Sequence, residues 1–245
     1  MRYKLTIEYD GTCFIGWQQQ KESTNSIQHN IENAIFNFCG SSVTLQVGGR
    51  TDAGVHALGQ VAHFDLEKDY KEYVVRDAIN YHLRTLPISV IGVEKVTDEF
   101  HARFSAKCRK YRYRIINRYA PPALDRMKAW HIRKFLDVNY MSEASSHLLG
   151  HHDFSSFRSS ECQANSPLRT LDEINIVRNG DEVDIYVSAL SFLYNQVRII
   201  VGTLVKFGHG SLFPSYMKEI LLKCDRTKSG MTAPPYGLYL ISIGY

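Results

Sequence analysis

Nine consecutive residues, Gly48-Gly49-Arg50-Thr51-Asp52-Ala53-Gly54-Val55-His56, set a carboxylate two positions from a guanidinium in a polar turn between apolar segments. Glycines open backbone conformations closed to other residues, so such a turn can carry an acid close to a bulky polymer without side-chain clashes. With a reference pKa of about 4, Asp52 is ionised at neutral pH, as a nucleophile or a general base must be. The same residues would equally make a hairpin connection with a surface ion pair, and residue types alone leave both readings open.

A second concentration of reactive and charged groups runs from Arg103 to Arg118, with seven Arg or Lys residues and no Asp or Glu. Within it Arg109-Lys110-Tyr111-Arg112-Tyr113-Arg114 interleaves cations and aromatics. In a strand, Lys110, Arg112 and Arg114 point one way and Tyr111 and Tyr113 the other. One face could meet phosphates and the other the core or a base; a solvated, charged strand face is the plainer alternative. Arg198 stands between apolar neighbours near the start of an otherwise apolar helix. A guanidinium there is costly without an acidic or phosphate partner, unless it leans out with its stem packed. His56, His63 and His151-His152-Asp153 lack compact metal-ligand spacing. Gly48-Gly49 is not followed by the Gly-Lys-Ser/Thr of a phosphate-binding loop. The five cysteines, Cys13, Cys39, Cys108, Cys162 and Cys224, are scattered, without a C-x-x-C pair. Neither metal nor cofactor is expected.

These groups need elements to hold them. In the first half Tyr3, Leu5, Ile7 and Tyr9 alternate as a strand. Ile27, Ile31, Ala34, Ile35 and Phe38 recur at helical spacing behind Asn25 and Ser26 as caps. A short strand over Val43, Leu45 and Val47 precedes the glycine-rich turn, and a strand over 60–65, a helix over 72–83 and a strand over 88–96 follow it. The second half repeats the order. Tyr111, Tyr113 and Ile115 mark a strand, and Val138, Met141, Ala144 and Leu148 a helix. Leu171, Ile174 and Ile176 lead through Asn179-Gly180 into Val183, Ile185, Val187 and Ala189 as a hairpin. A helix follows over Leu193 to Phe207, then a short helix with Pro214 in its first turn, and a closing strand over Tyr239, Ile241 and Ile243. The predicted fold is α+β: two ferredoxin-like (split βαβ) halves, residues 1–104 and 105–245, with antiparallel sheets flanking a central RNA-binding cleft. No Pro/Gly/Ser linker divides them, so a rigid pair is expected.

At 245 residues the chain can bury a sizeable core, and 44% hydrophobic with 22% charged residues is ordinary for a globular protein. No apolar run reaches bilayer length, and the start shows no export signal, so a cytoplasmic location is the default. The net charge of +4 is too small by itself to demand a polyanion; its placement is the more telling feature.

The run Gly49 to His56, continued by Gly59-Gln60-Val61-Ala62-His63-Phe64, resembles the signature of the tRNA pseudouridine synthase A family. Further matches lie in order along nearly the whole chain. They are Glu8-Tyr9-Asp10-Gly11 with Gly16-Trp17-Gln18, Phe100-His101-Ala102-Arg103-Phe104-Ser105-Ala106, and Arg109-Lys110-Tyr111-Arg112-Tyr113. Then come His152-Asp153-Phe154-Ser155-Ser156-Phe157, Phe192-Leu193-Tyr194-Asn195 with Val197-Arg198, and Gly237-Leu238-Tyr239-Leu240.

The resemblance implies a cofactor-free and metal-free enzyme that turns uridine into pseudouridine at positions 38, 39 and 40 of the tRNA anticodon stem-loop, working as a homodimer and without a membrane. It implies that Asp52 is the essential aspartate, acting as nucleophile at C1′ or as base at C2′. Arg198 would orient and ionise it through a bidentate bond. Tyr111 would stack on the uracil and help move the C5 proton, and Leu238 would wall the pocket. Arg50 is expected to reward the flipped-out state of the target nucleotide. Arg103, Lys107, Arg109, Lys110, Arg112 and Arg114 are expected to contact the RNA backbone. The chain departs from the usual pattern at Gln196, where Met commonly precedes Val-Arg, at Leu190, where Asn is common, and over 80–87, a longer segment than in many relatives. Two rivals remain from the residues themselves. A non-catalytic RNA-binding protein would use the aromatic-and-basic strand alone, and a metal-dependent RNA hydrolase would need a ligand cluster that the sequence does not assemble.

Overall fold

Alternation of apolar and polar residues from Arg2 onward produces β1 (Arg2–Tyr9), in which Tyr3, Leu5 and Ile7 are wholly buried. The computed structural model describes residues 1–19 and 25–245. After a 3₁₀ turn at Gly11–Cys13 comes α1 (Ile27–Cys39), whose N-cap Ser26 accepts from the His29 N–H at 3.2 Å. Ile27, Ile31, Ala34 and Ile35, at i, i+4, i+7 and i+8, form its buried face. Then follow β2 (Gln46–Val47), β3 (His56–Asp65), α2 (Glu72–Leu83) and β4 (Ile88–Val96). β1 pairs antiparallel with both β3 and β4, and β2 pairs antiparallel with β3.

The expected strand over 43–47 shrinks to Gln46–Val47. The Leu45 N–H is taken by the Glu32 side chain at 2.8 Å and so donates to α1 rather than to a ladder.

The second set of elements begins with β5 (Cys108–Asn117), joined in parallel by β6 (Trp130–Ile132). After them come α3 (Val138–Ser146), β7 (Gly150–Asp153), β8 (Leu168–Asn179), β9 (Glu182–Ala189), α4 (Gln196–Gly208) and α5 (Tyr216–Leu222). Their sheet runs β5-β9-β8-β7, antiparallel throughout. β8 and β9 form the expected hairpin at Asn179-Gly180, where Gly180 takes φ 58°. Pro214 lies just before α5 rather than in its first turn, since the N-cap is Ser215. In α4 every residue but Arg198 and Lys206 is buried.

The chain forms two compact units, one of Met1–Lys107 with Tyr239–Tyr245 and the other of Cys108–Leu238. The final strand, β10 (Leu238–Gly244), contributes its residues from Tyr239 onward to the first unit. There Tyr239 and Leu240 pair in parallel with His56 and Ala57 of β3.

Candidate functional site

Asp52 stands half-buried in the turn that leads into β3, and its backbone is gripped from both sides. Asp52 forms an isolated antiparallel bridge with Gly16, and the Thr51 carbonyl accepts from the Trp17 N–H at 3.0 Å. The buried Thr51 hydroxyl bonds the Tyr9 hydroxyl at 2.7 Å. Gln60, wholly buried, donates from Nε2 to the Gly49 carbonyl at 2.7 Å and to Tyr9 Oη at 3.3 Å. Past the aspartate, the Val55 N–H returns to the Asp52 carbonyl at 3.1 Å, and Gly54 supplies the positive φ of 77° that this tight turn needs.

The far end of the turn is fixed as well. His56 Nδ1 lies 3.1 Å from the Gly11 N–H and 3.0 Å from Asp10 Oδ1, and its ring stacks on Tyr239 at 4.6 Å. The segments Glu8–Gly11 and Gly16–Gln18, singled out by motif, are therefore the frame of the Asp52 turn. Tyr9, Thr51 and Gln60 are buried supports of this turn. All three lie in the motifs that carry the family resemblance, but no reading of the sequence gave them a role.

In the second unit Arg198 emerges half-buried from the first turn of α4. Its Nε donates to the Ala233 carbonyl at 2.7 Å, and Nη1 donates to Asn195 Oδ1 at 2.8 Å. Two neutral acceptors thus fix the plane of the guanidinium without cancelling its charge. Asn195 is in the left-handed region at φ 61°, and this turn delays α4 to Gln196 where periodicity suggested a start at Leu193. Tyr111 is 9% exposed, and its ring meets Phe192 edge-on at 5.3 Å. Tyr113 is fully buried, donates to the Pro234 carbonyl at 2.7 Å, and has its phenol pKa pushed well up by burial, against a smaller opposing effect from Arg198. Leu238 is buried as well.

The expected alternation along β5 is present, with Tyr111, Tyr113 and Ile115 buried and Lys110 exposed. The cations on the other face have carboxylate neighbours supplied by β8, β9 and the segment before β6. Lys110 Nζ lies 3.1 Å from Glu173, and Arg112 Nη1 lies 3.9 Å from Asp184. Arg114 reaches Glu182 at 2.6 Å and Asp125 at 3.1 Å. Burial raises the Asp184 carboxyl pKa, with Arg112 pulling it back. Arg109 donates to the Leu190 carbonyl, Arg103 lies over the Phe104 ring at 5.6 Å, and Arg50 is exposed, two positions before Asp52. Lys107 is tied through its backbone N–H to the Gly244 carbonyl at 2.8 Å.

His63 is buried in β3, where Nδ1 accepts from the Ala102 N–H at 3.1 Å. Burial, with help from Arg2, lowers its pKa to about 4, so it is neutral. His151 Nδ1 meets Thr170 Oγ1 at 3.0 Å, His152 Nε2 meets the Leu149 carbonyl at 2.7 Å, and Asp153 accepts from the Ser155 N–H at 2.8 Å. Each of these groups has a structural hydrogen-bond partner. Among the described residues no three His, Cys, Asp or Glu side chains converge as metal ligands.

The sequence model of the family described as tRNA pseudouridine synthase matches residues 5–105 and 144–245, a span that contains Asp52 and Arg198 but not Tyr111. Over the full length of both chains, this sequence is 61% identical to the tRNA pseudouridine synthase A of Wolbachia pipientis wMel. It is 60% identical to that of Ehrlichia canis (strain Jake) and 53% identical to that of Anaplasma marginale (strain Florida), again over the whole of each chain. With the Asp52 turn, its frame and the Arg198 helix all inside the matched regions, the chain belongs to the tRNA pseudouridine synthase A family.

Proposed function

We propose that this chain converts uridine to pseudouridine in tRNA, at positions 38, 39 and 40 of the anticodon stem-loop. The N1–C1′ bond breaks, the uracil turns, C5 joins C1′, and the C5 proton leaves while N1 regains one, so the reaction is an isomerisation without an external donor. Asp52 acts on the sugar, as nucleophile at C1′ or as base at C2′. Arg198 holds that carboxylate ionised and aimed, Tyr111 stacks on the uracil, and Leu238 lines the apolar side of the pocket. The observation that carries this reading is the Asp52 turn. Gly16, Trp17, Tyr9 and Gln60 hold it at Gly49, Thr51 and Asp52, a preorganisation that a surface hairpin does not require.

The RNA is held by charge. Arg50 supports the flipped nucleotide, and Arg103, Lys107 and Arg109 contact the backbone. Lys110, Arg112 and Arg114 contribute to the field of β5 while engaged with carboxylates. Each half of the chain is a split βαβ unit of ferredoxin-like type. In the first, the β1-α1-β2-β3-α2-β4 order and the β4-β1-β3-β2 adjacency support that reading. The enzyme acts in the cytoplasm as a homodimer, with one tRNA gripped by both subunits.

The test is incubation of unmodified tRNA with the protein in the presence of chelator, followed by base-specific mapping of pseudouridine. The wild-type chain should modify uridines of the anticodon arm. Asp52→Asn should bind tRNA with about the same affinity and lose turnover by at least about a thousandfold. Near-normal turnover by Asp52→Asn would falsify the assignment.

A further inference from the structure

Gln196 opens α4 and is 1% exposed. Its backbone N–H donates to the Leu193 carbonyl at 3.0 Å, and its side-chain Oε1 accepts from the Leu193 N–H at 2.8 Å. The two bonds close the 193–196 turn reciprocally, as a capping box does. Both second-unit side chains assigned to the reaction touch this segment. Phe192, immediately before the turn, packs edge-on against Tyr111 at 5.3 Å. Asn195, inside it, accepts from Arg198 Nη1 at 2.8 Å. One buried amide therefore pins the backbone from which Tyr111 and Arg198 are both contacted.

The other end of that amide is instructive. Gln196 Nε2 finds no hydrogen-bond acceptor among the described residues. A buried N–H without a partner is unfavourable, and an apolar side chain of similar length would fill the space without that cost. An apolar side chain lacks the strong acceptor that the Leu193 N–H uses. Met, common at this place in the family, would fill the space without that acceptor, so the side-chain closure of the turn is a feature of this chain.

We infer that Gln196 is a positioning residue for the isomerisation, setting the Tyr111 ring through Phe192 and the Arg198 guanidinium through Asn195. The inference rests on the reading of Tyr111 and Arg198 as site residues. It assigns Gln196 an effect on the chemical step and not on tRNA affinity, because a shift of reacting groups by a fraction of an ångström acts on turnover.

The test is Gln196→Met in the full-length chain, read by single-turnover isomerisation of unmodified tRNA together with tRNA affinity and Tm. Tm should change little, because the unmet Nε2 N–H is removed while the buried Leu193 N–H loses its acceptor. Turnover should fall by about tenfold, and Kd should change by less than about twofold. A double-mutant cycle with Asn195→Gly, which keeps the left-handed turn but removes the acceptor of Arg198, should show a smaller loss from Gln196→Met in the glycine background. Unchanged turnover, a loss that tracks the unfolded fraction, or equal losses in the two backgrounds would each overturn the inference. Asp52→Asn run alongside separates the failures. An inactive Asp52→Asn with an unimpaired Gln196→Met defeats the inference alone, whereas an active Asp52→Asn defeats the site reading and the inference with it.

Discussion

Arg198 shows why a charge on an apolar helix needs more than a counter-ion. Its Nε and one terminal nitrogen are spent on the Ala233 carbonyl and Asn195 Oδ1, which define the plane in which the rest of the fork is presented. Lysine carries the same charge on a single rotatable ammonium and cannot reproduce that geometry. Arg198→Lys should therefore keep tRNA affinity within about threefold and lose turnover by on the order of a hundredfold, measured by single-turnover kinetics beside a binding titration. Turnover near that of the wild type would mean that charge, and not orientation, is what the position supplies. The Asp52 turn is fixed by polar contacts of its own. Thr51 and Gly49 are held by Tyr9 and Gln60, so the acid's backbone is set before RNA arrives.

Among the elements, the turn and strand that matter most are positioned by partners far away in the chain. The 3₁₀ turn after β1 lies so close to the end of the Asp52 turn that a Cβ on Gly11 would stand 2.0 Å from the Val55 carbonyl oxygen. Gly11→Ala must push the two segments apart. It should destabilise the fold by about 1–3 kcal/mol and lower turnover more than the stability loss explains, as denaturant titration and initial rates on the same samples would show. Full activity would mean that the turn tolerates displacement. On β5, register with β9 puts Arg112 opposite Tyr186 and Arg114 opposite Asp184. The resulting ion-pair ladder with Glu173, Asp184 and Glu182 makes this strand less of a bare phosphate comb than its composition suggests. Of these, the Lys110–Glu173 pair is exposed; it adds little stability, and a phosphate can compete for it.

For the molecule as a whole, stability should depend on pH through His63. The unfolded imidazole protonates near its ordinary pKa of 6.5, while the folded one, desolvated in β3, stays neutral down to about 4. Between those values the unfolded chain binds the additional proton, so folding stability is fully present above pH 6.5 and declines as pH falls toward 4, by up to about 3 kcal/mol. Thermal or urea unfolding at about pH 7 and about pH 5 should show this loss, and His63→Gln should flatten the dependence. An unchanged pH slope in that variant would shift the origin to other groups. The affected strand also carries the Asp52 turn into the sheet, so acid should inactivate the enzyme by loosening the site's scaffold.

The hairpin at Asn179-Gly180, the helix over 72–83, the strand over 88–96, the position of the Asp52 turn and most of the element order were legible in the amino-acid string; the short strands β6 and β7 were not. Each legible feature rests on local periodicity, turn chemistry or motif, which act within a few residues. What holds the turn and what faces the cations became visible only in the folded chain. The Tyr9–Thr51 and Gln60–Tyr9 bonds span 42 and 51 residues, and Arg114 meets Glu182 across 68. Folding likewise pairs Tyr239 and Leu240 with His56 and Ala57, bringing the end of the chain to the foot of the Asp52 turn. A hydrogen bond or ion pair depends on where two chain segments meet in space. That meeting is set by strand register and core packing over the whole fold, not by the residues on either side of each partner.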